Sequence, residues 1–179
     1  MKRIARIYLV FLTLASSLLA LTPVNFSLWY PLSFNRTEND DVNLNVGVLY
    51  SRFGSLKGLS VNGGLTDMKD SCYGLAVSGA GHRIEGDMKG IMVGVISGVS
   101  FDHFGLDASL MNLSASDFTG IKASLFSVTG EDVRGMSASL HNWLGNNLYG
   151  VQLGGYNHVN GHSFGAQIGG VSITNKNFY

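Results

Sequence analysis

Residues 105–149, broken every fifteen residues, read GLDASLMNLSASDFT, GIKASLFSVTGEDVR and GMSASLHNWLGNNLY. Each line opens on glycine, and the same residue types recur below one another. Working outward, the glycine column is Gly58, Gly74, Gly90, Gly105, Gly120, Gly135, Gly150 and Gly165. With the glycine as position 0, apolar residues fill +1 (Ile91, Leu106, Ile121), +3 (Val93, Ala108, Ala123) and +5 (Val95, Leu110, Leu125). A spacing of two is the period of a β-strand. A second apolar pair stands at +6 and +8, as in Phe126 and Val128. It has the opposite parity, so each unit needs a bend or bulge. Glycine at 0, and glycine or serine at +4, suits tight corners or close backbone approach. Helices are disfavoured, because glycine returns too often for uninterrupted turns.

A bent fifteen-residue unit has two ways to repeat. As a β-solenoid, each unit is one coil, coils stack about 4.8 Å apart, and identical positions form ladders. The alternative is an antiparallel β-meander, or its closed form, an outer-membrane-type β-barrel. Same-residue columns favour the solenoid, because stacking like on like rewards aliphatic, small and asparagine ladders. The expected fold is therefore all-β, a β-solenoid of 15–16-residue repeats. The stack is expected to bury the apolar side that one unit cannot bury alone.

Composition narrows the function classes. The 179 residues carry 12 Lys+Arg against 12 Asp+Glu, a net charge of zero. That gives no electrostatic reason to seek nucleic acid or an anionic membrane surface. Charged residues are 13%, against about 25% in ordinary soluble domains. One cysteine, Cys72, permits neither an internal disulfide nor a multi-cysteine zinc site; it reads as a small core residue.

The amino terminus reads as an export signal. Lys2, Arg3 and Arg6 precede the uncharged run Ile7–Leu21, the basic-then-apolar pattern of a signal peptide. The run is shorter than the ~20 residues of a membrane-spanning helix. The expected organisation is a signal peptide over residues 1–23, an N-terminal cap over 24–57, and the repeat array over 58–179. The array is expected to continue beyond Tyr179, since no polar capping repeat closes it. Within the cap, Val42–Tyr50 (VNLNVGVLY) alternates Val42, Leu44, Val46 and Val48 against Asn43, Asn45 and Gly47, the pattern of a half-buried strand. Pro31 argues for an edge strand.

The segments NFSLWYPLS (25–33) and NVGVLYSR (45–52), with the units GVQLGGYN at Gly150 and GAQIGG at Gly165, resemble a family of uncharacterised bacterial surface-repeat proteins. Its tandem units run Gly-apolar-Gln-apolar-Gly/Ala-apolar-apolar-Asn behind a signal peptide. The resemblance spans about residues 24–179. The glutamine stands only at Gln152 and Gln167; Asp107, Lys122 and Ser137 hold that place in the middle coils. The resemblance implies export and a surface or outer-membrane setting. It implies no activity.

Chemistry candidates are few. The column at −3 holds Asp87, Asp102, Asp117 and Asp132. Stacked carboxylates offer oxygen ligands for a calcium ladder. The Gly-Gly-x-Gly-x-Asp turn of calcium-binding solenoids is absent, so the competing reading is a turn residue that caps its own backbone. The +7 column, Asn at Asn112, Asn142 and Asn157 and Ser at Ser97, Ser127 and Ser172, reads as an internal hydrogen-bonded ladder. His158 and His162 have the spacing of a zinc pair but lack a third ligand. His103 and His141 stand in apolar columns and read as half-buried, satisfied histidines. No catalytic motif and no cofactor site stands out. The expected function is a non-enzymatic exported repeat protein with a structural or surface-interaction role, at the cell surface or outer membrane, or otherwise periplasmic or secreted. An outer-membrane pore or anchor is the alternative. The partners are an envelope component and, through exposed solenoid ends, further copies of the chain.

Overall fold

The structure, a computed structural model, describes residues 24–33 and 40–179. The expected signal peptide lies outside these residues. The elements are Val24–Trp29 (β1), Leu32–Ser33 (β2), Val42–Phe53 (β3), Leu56–Asn62 (β4), Leu65–Met68 (β5), Cys72–Ser78 (β6) and Gly81–Ile84 (β7). Six strands of 12 residues follow: Met88–Val99 (β8), His103–Ser114 (β9), Phe118–Thr129 (β10), Val133–Leu144 (β11), Leu148–Val159 (β12) and Ser163–Thr174 (β13). There is no helix among the described residues.

The chain is a β-solenoid. Consecutive long strands pair in parallel, fifteen residues apart, so Ile121 faces Met136 and Gly120 faces Gly135. The same register runs from β8 to β13. A meander or barrel would pair consecutive strands antiparallel, and the parallel ladders exclude both. The stack also takes in part of the expected cap. β3 pairs in parallel with β4 and β5, with Asn45 opposite Ser60, and β1 lies parallel to β3. The short β2 closes the amino-terminal edge beside β1, where Pro31 spares a ladder bond.

Each long strand bends near its middle. Leu110 and Leu125 fall outside the ladder that holds Ala108–Ala123 and Met111–Phe126 on either side of them; the strand turns its corner there. The glycine column has a separate cause. Gly105 and Gly120 have φ of +140° and +139°, and a Cβ at either would stand 1.9 or 2.0 Å from the carbonyl oxygen of the glycine one coil below. Only glycine fits both demands.

The interior is the reverse of the expectation. The +1, +3, +5, +6 and +8 columns, expected to fill the stack, point out: Ile121, Leu125, Phe126 and Leu140 are exposed. The inward columns are −2, +2, +4, +7 and +9. The corrected alternation already holds in β3, where Asn45 is fully buried and Val46 is 40% exposed. Apolar packing is confined to the −2 and +9 columns, beside the turns, with two contributions from +2. One cluster gathers Leu56, Met68, Met88 and Val99 with Ala76 and Met92; a second gathers Phe118, Val133, Leu144, Leu148 and Val159. Burying each Val, Leu, Met or Phe side chain of these clusters stabilises by about 1.5–3 kcal/mol. Between the clusters lies β9, whose inward residues are His103, Asp107, Ser109, Asn112 and Ser114.

Candidate functional site

The narrow interior lets short polar side chains meet across it. Ser137 Oγ donates to Asn142 Oδ1 at 2.6 Å. Along the stack, Asn142 Nδ2 donates to Asn157 Oδ1 at 2.9 Å, and Asn157 Nδ2 to Ser172 Oγ at 3.4 Å. The +7 column is thus the internal ladder its residue types suggest, and it is satisfied by protein groups.

The middle coils place charge in this interior. Asp107 and Lys122 are neighbours in the +2 column and are almost wholly buried. Asp107 accepts hydrogen bonds from Ser109 Oγ at 2.7 Å, Asn112 Nδ2 at 2.7 Å and Ser97 Oγ at 3.3 Å. Burial raises its pKa nevertheless, against those bonds and the charge of Lys122. Lys122 Nζ donates to Thr129 Oγ1 and stands 4.7 Å from the centre of the Phe118 ring. Burial brings its pKa down to about 7, against the opposing pull of Asp107. His103 is buried too, edge-on to Phe118 at 4.8 Å. Neither ring nitrogen has a hydrogen-bond partner; Nδ1 is 3.9 Å from Asp107 Oδ2. Burial, reinforced by the Lys122 charge, drops its pKa to about 3, so it is held neutral. The expectation of a satisfied, half-buried His103 is corrected on both counts. The side chains of this group are buried, and its chemistry is that of a buried polar plug.

The aspartate column lies along the turn edge. Asp87, Asp117 and Asp132 cap a backbone N–H of the next coil rather than their own backbone. Asp87 Oδ1 accepts from the Asp102 N–H at 3.3 Å, Asp117 Oδ1 from the Asp132 N–H at 2.9 Å, and Asp132 Oδ1 from the Asn147 N–H at 3.0 Å. Asn147 continues the series to the His162 N–H at 2.8 Å. Asp102 accepts from Ser116 Oγ at 3.1 Å, and Arg134 lies 3.4 Å from Asp117 and 3.5 Å from Asp132. One oxygen of each of these carboxylates is therefore already engaged. Among the described residues no cluster of three or more His, Cys, Asp or Glu has the arrangement of a metal site. His158 and His162 take separate partners: His158 Nε2 pairs with Asn160 Oδ1 at 2.7 Å, and His162 Nδ1 accepts from the Asn177 N–H at 3.4 Å. Cys72 is buried, and burial pushes its thiol up to about 12, which makes it inert packing.

The outer surface is the feature without an internal explanation. Aliphatic ladders run along both arms of the coil and over the corner between them, with Leu110, Leu125 and Leu140 at that corner 47–61% exposed. Soluble monomers rarely expose contiguous apolar patches beyond a few hundred Å2. Aromatic columns extend the surface: Trp143 stacks on His158 at 4.3 Å, His141 on Tyr156 at 4.8 Å, and Tyr149, Phe164 and Tyr179 form a stack with 5.1 and 4.8 Å steps. No family model, curated protein or solved structure matches this chain.

One sequence signal could have located the surface. If Asn112, Asn142 and Asn157 at +7 are internal, strand parity forces +6 and +8 outward. Glycine or serine at +4 likewise leaves +3 and +5 outside. The buried charges carry a weaker signal: Asp107 and Lys122 stand in the column that holds Ser137, Gln152 and Gln167 further along the stack.

Proposed function

We propose that this chain is an exported repeat protein with a structural or surface-interaction role in the cell envelope, and that it performs no catalysis. The observation that carries this reading is the outer face itself. The stack runs about 40 Å along its axis for nine coils at ~4.8 Å, and it presents aliphatic and aromatic ladders on two arms and the corner between them. Apolar surface of this extent marks an interaction site. The ladder bonds of every coil hold it in shape, which suits a scaffold better than a site that must open and close. The basic-then-apolar amino terminus and the resemblance to bacterial surface-repeat proteins support export. The aspartates of the turn edge hold backbone N–H groups and Arg134, a structural employment, which supports a role without acid–base chemistry.

The test is fractionation of a Gram-negative host expressing the full chain, with the mature amino terminus sequenced. The reading expects a product cleaved between residues 20 and 25, in the envelope or outside the cell. An uncleaved product in the cytosol overturns it.

A further inference from the structure

We infer that the outer face of the stack is covered by phospholipid: the coils from Met88 onward lie in one leaflet of a bilayer, with the solenoid axis along the membrane plane. The Leu110–Leu125–Leu140 corner then sits deepest, and the aspartate-bearing turn edge faces water. This deepens the envelope role proposed above and rests on it for access to a bilayer. The chain enters one leaflet and does not span the membrane.

Four observations lead to lipid rather than to a protein partner. The first is the placement of charge. From Ile91 to Ile173, the outward +1, +3, +5, +6 and +8 columns contain no Asp, Glu, Lys or Arg. The charged residues of these coils stand on the turn edge, in the column beside it (Lys89, Arg134), or inside (Asp107, Lys122). On the earlier coils the ladder that continues into the +8 column at Gly98 holds Arg52, Asp67 and Arg83, and there the apolar wall ends on that arm. The second observation is that the apolar surface wraps around both arms and their corner. A second copy docked on one arm would leave the opposite arm wet, whereas a fluid hydrocarbon phase covers all three surfaces at once.

The third observation concerns the backbone. Hydrocarbon tolerates only backbone whose N–H and C=O groups are paired. Along both arms of this stack, on either side of the corner, they are paired with the coils above and below. With its apolar exterior and polar interior, the solenoid shares the side-chain arrangement of membrane β-proteins. The fourth is the seam between the apolar faces and the turn edge. The −1 column of these coils carries Lys89, Phe104, Arg134, Tyr149 and Phe164, with Thr119 the one exception, and Trp143 borders the turn on the other arm. Aromatic and basic residues gather where a membrane protein meets the headgroups. The depth also fits: five residues from the glycine to the corner, at about 3.3 Å each, reach about 16 Å, close to half of a ~30 Å hydrocarbon core. Because the chain has no net charge, the attraction is apolar and needs no anionic lipid.

The experiment mixes the full chain with phosphatidylcholine vesicles, plain or brominated at the middle of the acyl chains. Tryptophans are moved by depth: in a Trp29→Phe, Trp143→Phe background, one variant carries Leu125→Trp and another Ser116→Trp. The amino-terminal apolar run can itself bring the chain to vesicles, so quenching at these two positions, and not flotation, decides. The inference expects the corner tryptophan to lose most of its emission to brominated lipid and the turn tryptophan to keep its own. The triple variant Leu110→Lys, Leu125→Lys, Leu140→Lys, altered only at exposed positions, should keep its β circular dichroism and lose protection of its arms from protease by vesicles. Equal quenching at both positions, or at neither, overturns the inference. So does a corner tryptophan that is already dry without lipid in a particle of doubled or greater mass, since a second copy then covers the face. Export is measured separately in cells, so a negative vesicle result leaves the envelope reading standing, and a cytosolic product leaves the vesicle result standing.

Discussion

Lys122 lies directly above Asp107 in the same inward column, yet the two charges are solvated in opposite directions. Asp107 is held by Ser97, Ser109 and Asn112, and Lys122 by Thr129 and the Phe118 ring. With His103, they interrupt the apolar seam between its two clusters. Removing one charge strands the other in a dry interior. Asp107→Gln or Lys122→Gln alone is expected to cost about 3–5 kcal/mol. The double change to glutamine, the residue this column carries at Gln152 and Gln167, should cost far less. Urea denaturation of the two single variants and the double variant measures the coupling, and additive losses would show that the charges are independent.

His103 sets an acid limit. Its pKa is about 3 in the folded chain against about 6.5 unfolded. Between those values the unfolded chain takes up a proton that the folded chain refuses, so stability falls as pH drops from 6.5 toward 3. Asp107, with its raised pKa, acts in the opposite sense at the acid end. The lowered Lys122 pKa has its own window, in which stability falls as pH drops from about 10.5 to about 7. His103→Leu should shrink the fall below pH 6.5, leaving the share of buried His82, whose pKa burial also lowers, and should leave the alkaline limb unchanged. Melting temperatures across pH 3–11 check both, and an unchanged acid limb would remove His103 as its source.

Glycine is required at some places in the coil and only tolerated at others. Gly120→Ala puts a Cβ 2.0 Å from the Gly105 carbonyl at a φ of +139°, and at least about 2 kcal/mol should be lost. Gly98→Ala meets nothing nearer than the His82 carbonyl at 3.6 Å and should change stability by less than about 1 kcal/mol. Equal losses in the two variants would contradict the close coil-to-coil approach.

The aspartate ladder should behave as a row of caps. Asp132→Ala strands the Asn147 N–H and is expected to cost about 1–2 kcal/mol. Asp132→Asn, matching Asn147 one coil on, should recover most of it. Calcium or a chelator should leave the melting temperature of the native chain unchanged. A rise of several degrees with calcium would restore the calcium ladder at Asp87, Asp102, Asp117 and Asp132.

Much of this architecture can be read in the residues themselves. The fifteen-residue glycine register, the period of two and the parity change at +6 lead to a bent strand repeated as a coil. Like residues at like positions lead to parallel stacking, and Ile121 opposite Met136 bears it out. The asparagine ladder is equally legible, because a buried amide needs a partner and the next coil supplies one. The placement of His103 is not legible: its column holds Met88, Phe118 and Val133, and nothing local says that its ring nitrogens go unpaired.

Alternation along a strand establishes that there are two faces and is silent about which one is inside. That choice belongs to the tertiary structure, and the reason is space. When a coil of fifteen residues closes on itself, its arms come so near that serine and asparagine already touch, as Ser137 and Asn142 do at 2.6 Å. Leucine and phenylalanine from both arms cannot share that gap, so the hydrogen-bonding side chains take it. The aliphatic columns, which sequence patterning alone assigns to a core, become the surface.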